Sequence, residues 1–569
     1  MTRQQTPSQR VGTAYQRIAE TNRPEVWIHL REQADVLADA LEVERRCADG
    51  HALPLAGVLV AVKDNIDVAG CPTTAGCPEF TYTPGLTAVA ITRLMNAGAI
   101  VLGKTNMDQF ATGLVGTRSP YGAVRNALDP ELVAGGSSAG SAVAVALGIA
   151  DIGVGTDTAG SGRVPAALNR IVGVKPTLGI IPNHGVVPAC ADYDTITAFG
   201  TDLTIATTAV AIMSGTDPRD PRSRRWPADV RLAASRTPRI AIPTLANLSA
   251  LSEPYQHAFE DAAAAAIDAG CSIETIDISE LLDAARLLYD GAIVAERYAA
   301  VGIFLDGQPS NADPTVASII GNARKTSGPA FAADLHALAA ARSAAATLLA
   351  PFDALLLPTT TEHPTITAVV DDPIAINRRM GTFTNFCNLL DMAAVAFPVD
   401  NLPTGMPFGL TVVTLGFNDQ IAVDIAARLT KVTAPLLVDQ GVELAVFGAH
   451  LRGQPLHWQL EELGARYLRP VHTSDAYRLK ALDTVPPKPG LVRTNPRSGA
   501  AIAGELYRLS EAGLGRFLAA LPPPMALTSI ELSDGRHVIG FTATHDATDS
   551  ATDITTHRGW PAYLATLTP

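Results

Sequence analysis

Between Pro120 and Ser161 the chain is rich in Gly, Ser, Ala and Thr, and no other stretch constrains the fold as strongly. Small side chains let backbones approach one another and a small ligand closely, so this segment belongs where chain packs against chain. Within it the pattern predicts a helix from about Gly140 to Gly148 and a short strand at Ile152 to Val154. Upstream, Val58 to Val62 reads as a buried strand, Thr87 to Ala97 as a helix ended by Gly98, and Ile100 to Leu102 as another strand. That alternation is α/β layering. Glu25 to about Cys47 carries helical spacing, and the Ala-rich segments from Pro254 to Ala350, including Ala262 to Ala266, read as helices.

The 569 residues are enough for several domains of about 150 residues each. Lys and Arg number 43 and Asp and Glu 56, a net charge of −13 that argues against nucleic acid or an anionic membrane as partner. From Gly441 onward there are twelve basic and twelve acidic residues, so the whole deficit lies before that point, and half of the twelve histidines fall after it. A domain boundary is therefore expected near 440, dividing residues 1–440 from 441–569. The tail has short strand-like runs at Glu443 to Phe447, Ser529 to Leu532 and His537 to Phe541, which predict a small β-rich domain. Six scattered cysteines, with no Cys-x-x-Cys or His-Glu-x-x-His pattern, predict a reducing cytoplasm, no disulfide framework and no structural metal. Met1 to Arg10 is polar and unlike a signal peptide, and the longest apolar run, Ala142 to Ala150, is too short to span a bilayer.

Only seven of the basic residues are lysines, so Lys63, at the end of the apolar run Val58-Leu-Val-Ala-Val, needs a reason. A strand of this apolarity is buried, and burial lowers a lysine's pKa until the neutral amine can act as a base. Gly98 to Thr105 fits the phosphate-loop pattern Gly-x4-Gly-Lys-Thr, but its middle residues read as a strand and its helix lies on the wrong side. Gly136 to Gly140 fits the Gly-x-Ser-x-Gly elbow, yet Asp129 to Gly135 in front of it reads as a loop where an elbow needs a strand.

Three pieces make better sense together: Lys63, then Gly135-Gly136-Ser137-Ser138-Ala139-Gly140-Ser141, then Gly155-Thr-Asp157-Thr158-Ala159-Gly160-Ser161-Gly162-Arg163-Val164-Pro165. With this order and wording the chain resembles the amidase-signature hydrolases, from about Gly57 to Pro176, with a family core that would extend to about residue 430. The resemblance implies an α/β core with a mixed central sheet covered by helices. It implies Ser161 as nucleophile, Ser137 as a bridging serine held by a cis peptide, Lys63 as terminal base, and no metal or cofactor. The backbone amides of Thr158, Ala159, Gly160 and Ser161 would form the oxyanion hole. The family often has Gly-Gly before the nucleophile, where this chain has Ala159-Gly160.

Two further segments resemble the allophanate hydrolases, enzymes that turn allophanate into ammonia and carbon dioxide: Thr158 to Ala167, and Leu288 to Tyr298. Allophanate is a small anion, so its site needs a cation, and Arg grips a carboxylate bidentately. Tyr289 and Arg297, eight apart, could project from one helical face, with Arg297 on the carboxylate and Tyr289 hydrogen-bonding beside it. The plain alternative puts Arg297 in a surface ion pair with Glu296 or a neighbour and Tyr289 in the core. The tail, from Val446 through His450 to His457 and on to Pro486-Pro-Lys-Pro-Gly490, resembles the C-terminal domain of the same enzymes, similar to the γ-glutamylcyclotransferase fold. That resemblance implies decarboxylation of N-carboxycarbamate with His450 as proton donor or acceptor, a homodimer, and a functional link with urea carboxylase. The competing reading is a broad amidase or an amidotransferase-type subunit whose tail only docks or oligomerises.

Overall fold

The computed structural model describes residues 5–496 and 498–567 and divides into two compact units. The first runs up to Arg225 and resumes over Thr237–Leu437; the second takes Trp226–Arg236 and everything from Val438 onward. A boundary placed near 440 therefore leaves out one piece, because Trp226–Arg236 belongs to the second unit although it lies far upstream. Within that unit Leu232 N–H donates to Gly464 O at 2.9 Å, Ala512 N–H donates to Ala228 O at 2.9 Å, and Arg466 Nε donates to Leu232 O at 2.7 Å.

The first unit is built on an eleven-stranded sheet. In chain order its strands are β1 (Trp27–Leu30), β2 (Leu59–Lys63), β3 (Ile100–Thr105), β4 (Ile152–Asp157), β5 (Val172–Lys175), β6 (Thr195–Gly200), β7 (Arg239–Pro243), β8 (Ser272–Ile276), β9 (Ala354–Pro358), β10 (Met392–Asn401) and β11 (Pro407–Leu415). They lie side by side as β1-β3-β2-β4-β6-β5-β10-β11-β9-β7-β8. The sheet is mixed: β2 is parallel to β3 and β4, while β4 is antiparallel to β6 and β10 is antiparallel to β5 and β11. Every residue of β2 through β6 is buried, as expected where helices cover both faces of a sheet. The helix Ala139–Ala146 has no polar face, and residues 139–145 are all buried against Leu59, Ala61, Leu102 and Phe199.

One expected helix is divided. Trp27–Leu30 is an edge strand paired antiparallel with β3, Trp27 opposite Thr105, and the helix begins only at Gln33. A run of aromatic and β-branched residues beside an open sheet edge outweighs helical spacing there. Gly103 and Lys104 lie inside β3, and Lys104 Nζ is buried 3.3 Å from Asp64 Oδ1 and 2.9 Å from Thr73 Oγ1, so the phosphate-loop pattern is strand. Asp129 to Gly135 forms isolated bridges and no strand.

The second unit has its own core, including Leu444, Phe447, Leu479, Tyr507, Phe541 and Trp560. Its five-stranded sheet runs Arg466–His472, Ala503–Leu509, Val442–Val446, His537–Ala543, Met525–Glu531, and a three-stranded sheet joins Lys488–Arg493, Tyr477–Leu482 and Thr552–Asp553. It is β-rich, as the tail's short strand-like runs predict.

Candidate active site

Lys63 closes β2 with its side chain fully buried. Its Nζ donates to Ser137 Oγ at 2.8 Å and to Thr156 Oγ1 at 2.8 Å, and Ser137 Oγ donates to Ser161 Oγ at 2.9 Å. The structure thus brings Lys63, Ser137 and Ser161 into one hydrogen-bonded line, from the end of one strand to the turn after β4. Burial pushes the Lys63 ammonium down to about 7, against the carboxylates of Asp108, Asp194 and Asp157, which favour its charged form. An amine with that pKa is substantially neutral at physiological pH, as a proton acceptor must be.

The Gly136–Ser137 peptide is cis. A β-carbon on Gly136 would strike the Asp108 carboxylate and come within 2.7 Å of Gly116 N, so only glycine lets Ser137 into this position. Asp108 holds the surrounding loop by accepting the amides of Gly116 at 3.0 Å and Arg118 at 2.9 Å, and its own N–H donates to Ser137 O at 3.1 Å.

Beyond β4, the backbone turns through Thr158, Ala159, Gly160 and Ser161 before the helix Val164–Leu168 begins. None of these four N–H groups donates a hydrogen bond to another described residue. Buried amides normally find a partner, so four consecutive idle donors form a ready site for negative charge. The turn is fixed from both sides. Arg163 binds Asp157 through Nε at 3.0 Å and Nη2 at 2.9 Å, and donates to Thr384 O and Asn388 Oδ1; Gly162 N–H also donates to Asp157. Burial would raise the Asp157 carboxyl, but the Arg163 guanidinium outweighs it and holds it below its ordinary value. Thr158 Oγ1 donates to Asp194 Oδ1 at 2.5 Å, and burial raises the Asp194 carboxyl.

Tyr289 and Arg297 do meet, though not on one helical face. Tyr289 follows the helix Ser279–Arg286, a turn at Asp290 and Gly291 intervenes, and Arg297 lies in the helix Ala295–Asp306. Arg297 Nη2 donates to Tyr289 OH at 3.1 Å, Nη1 donates to Thr112 Oγ1 at 2.9 Å, and the buried Nε has no partner among the described residues. Arg297 is 1% exposed and forms no ion pair with Glu296, which accepts Asp192 N–H instead; the surface ion-pair alternative does not fit. Arg297 is also close enough to Lys63 to disfavour its charged form.

His450 lies in the other unit, stacked on Phe541 at 4.9 Å and edge-on to Phe517 at 5.1 Å, with Nε2 2.8 Å from Gln459 Oε1. Burial pushes its pKa down to about 4. The ring expected as proton donor or acceptor is therefore neutral at physiological pH, because burial against Phe517 and Phe541 disfavours its charged form. It lines a cavity of about 440 Å³ together with Gln459, Lys488 and Arg516.

Sequence reasoning did not single out Thr156, Asp194, Thr112 or Asn388. Thr156 sits beside the nucleophile motif and could have been found as a hydroxyl one residue before Asp157; the other three lie in no motif. Among the described residues no group of three or more His, Cys, Asp or Glu side chains is placed to hold a metal ion, and no helix is long and apolar enough to cross a membrane.

Comparison with known proteins places these features. The Amidase family profile matches residues 10–422, and the profile of the allophanate hydrolase C-terminal domain matches residues 442–565. The urea amidolyase of Saccharomyces cerevisiae is 40% identical over 574 aligned residues, covering 95% of this chain but 31% of that protein, so the chain spans about a third of such relatives' length. A component of the glutamyl-tRNA(Gln) amidotransferase of Deinococcus deserti is 42% identical over 230 residues, 40% of this chain and 47% of that one. Among solved structures, Kluyveromyces lactis allophanate hydrolase superposes with a TM-score of 0.89 at 37% identity, covering 99% of this chain and 97% of that one. A lysine and two serines in hydrogen-bonded line beside a turn of unpartnered amides, within a fold shared along nearly its whole length, place this chain in the amidase family, with the C-terminal domain of the allophanate hydrolases following its amidase core.

Proposed function

We propose that this protein hydrolyses allophanate through a serine–serine–lysine relay. The observation that carries the reading is the line from Lys63 Nζ through Ser137 Oγ to Ser161 Oγ, at 2.8 and 2.9 Å, ending beside four unpartnered amides. Neutral Lys63 takes the Ser137 proton as Ser137 takes that of Ser161, and Ser161 Oγ attacks the terminal amide carbon. The amides of Thr158, Ala159, Gly160 and Ser161 face the oxygen on which charge develops; losing one such donor costs about a hundredfold or more in rate. Protons returned along the relay release ammonia, and water then cleaves the acyl-enzyme to N-carboxycarbamate. Buried Arg297, with Tyr289 against it, is suited to the substrate carboxylate, because among the described residues no carboxylate pairs directly with its guanidinium, which hydrogen-bonds Tyr289 and Thr112 instead.

The second unit, read as a γ-glutamylcyclotransferase-like domain from about Gly441, would assist loss of carbon dioxide from N-carboxycarbamate. That step consumes one proton, N-carboxycarbamate and a proton giving carbamate and carbon dioxide, and His450, whose Nε2 is held by the Gln459 carbonyl, is the candidate to relay the proton from solvent to the nitrogen. A urea carboxylase would be the functional partner that supplies allophanate, a link supported by the similarity to urea amidolyases.

The test is ammonia release by purified protein from allophanate set against a panel of neutral amides. Strong preference for allophanate, abolished about a thousandfold or more by Ser161→Ala, is the expected result. Equal turnover of neutral amides would favour a broad amidase, and full activity of the Ser161→Ala protein would end the relay proposal.

A further inference from the structure

A cleft of about 990 Å³ opens in the amidase unit, and Arg118, Tyr289, Asn377 and Asn385 stand on its wall. Asn385 is only 8% exposed, and its Oδ1 accepts no hydrogen bond from any described residue. Its backbone needs nothing from the side chain: its N–H already donates to Gly381 O at 3.0 Å. The carboxamide lies against Gly381, where a β-carbon would come within 2.6 Å of Oδ1. Leucine would fill a similar volume and leave no acceptor idle, so packing alone gives no reason for an amide here.

The neighbouring residue locates Asn385 relative to the chemistry. A β-carbon on Gly160 would strike the Thr384 side chain, and Thr384 O accepts from Arg163 at 3.0 Å. Asn385 thus follows directly on the residue that walls the nucleophile turn, and shares its cleft with Tyr289.

Resting on the reading of the site as one for allophanate, the polar groups of that substrate can be matched in turn. Its carboxylate suits Arg297 and Tyr289, and its reacting carbonyl oxygen suits the four amides after β4. Between them lies an N–H that must keep a hydrogen bond when water leaves. Of the described residues lining the cleft, only Asn385 offers a buried side-chain acceptor without a partner. We infer that Asn385 is a specificity-determining residue, accepting the central N–H of the substrate through Oδ1 and so selecting ureido carboxylates over carboxylates whose amide is carried on carbon.

Malonamate provides the test, since it replaces that N–H by CH2 and keeps the carboxylate and the terminal amide. The quantity to read is the ratio of kcat/KM for allophanate to that for malonamate, compared between enzymes so that the two compounds' intrinsic reactivities cancel. In Asn385→Leu the ratio should fall by about tenfold or more, through loss on allophanate with malonamate little changed. Asn385→Asp keeps an acceptor, so it should retain the preference while raising KM for both anions. An unchanged ratio in a folded Asn385→Leu protein, or a preference lost in Asn385→Asp, would overturn the inference. Wild-type protein inert toward allophanate would instead remove the reading beneath it, a failure visible before any variant is made.

Discussion

At the scale of the residue, everything turns on one amine. Lys63 is held near neutrality by burial, and the carboxylates around it keep the shift from going further. Because the base must be neutral, kcat/KM should rise with pH through about 7 and then level, falling about tenfold per pH unit on the acid side; a pH profile free of that limb would remove Lys63 as base. The stability sign is the same. Between about 7 and the lysine's ordinary value of 10.5 the unfolded chain binds a proton that the folded one refuses, so unfolding free energy should climb with pH across that window, more steeply than in Lys63→Met. Arg297 is the second residue to probe. Its planar fork serves Thr112 and Tyr289 at once, which an ammonium cannot reproduce, so Arg297→Lys should raise KM for allophanate about tenfold or more, roughly 1.4 kcal/mol, while the melting temperature changes little. Lys63 was legible beforehand because lysine is scarce here and the run before it is apolar. Asn385 was not, since a single asparagine in an unremarkable segment announces nothing until its unpartnered oxygen is seen.

At the scale of the element, the turn between β4 and the helix Val164–Leu168 is built to hold amides still. Gly160 has φ +142 and faces Thr384, so Gly160→Ala should cost both folding stability and about a hundredfold in kcat, read by urea unfolding beside steady-state rates. Removing one partner of the buried Arg163–Asp157 pair leaves the other charge uncompensated; Asp157→Asn should lower unfolding free energy by about 3–5 kcal/mol, again read by urea unfolding. The strands that deliver Lys63 and Asp157 could be read in advance, because fully buried strands appear as plain apolar or small-residue runs. Tyr289 and Arg297 could be paired only for the wrong reason: helical spacing suggested one face, whereas a turn at Asp290 and Gly291 folds two helices so that the side chains touch. Likewise the edge strand Trp27–Leu30 hid inside a helical period, since pairing with β3 is a long-range event that local spacing does not record.

At the scale of the whole molecule, the proposed function gives each of the two units its own step. In the full-length protein, His450→Ala should leave the first ammonia release near its normal rate while N-carboxycarbamate persists longer, as followed by carbon-13 NMR with labelled allophanate; identical product kinetics would leave His450 a packing residue. The break in charge and histidine content near 440 pointed to the second unit, but nothing in the sequence marked Trp226–Arg236 as part of it, because that membership depends on contacts with residues such as Gly464 more than two hundred positions away. The chain crosses between units three times, after Arg225, Arg236 and Leu437. During synthesis the eleven-residue strap Trp226–Arg236 leaves the ribosome about two hundred residues before the unit it joins, and has to wait for it. Genetic exchange meets the same condition. A single crossover near residue 437 would graft a foreign tail onto a core still carrying the old strap, so a transplanted tail would have to match the strap contacts of its new core.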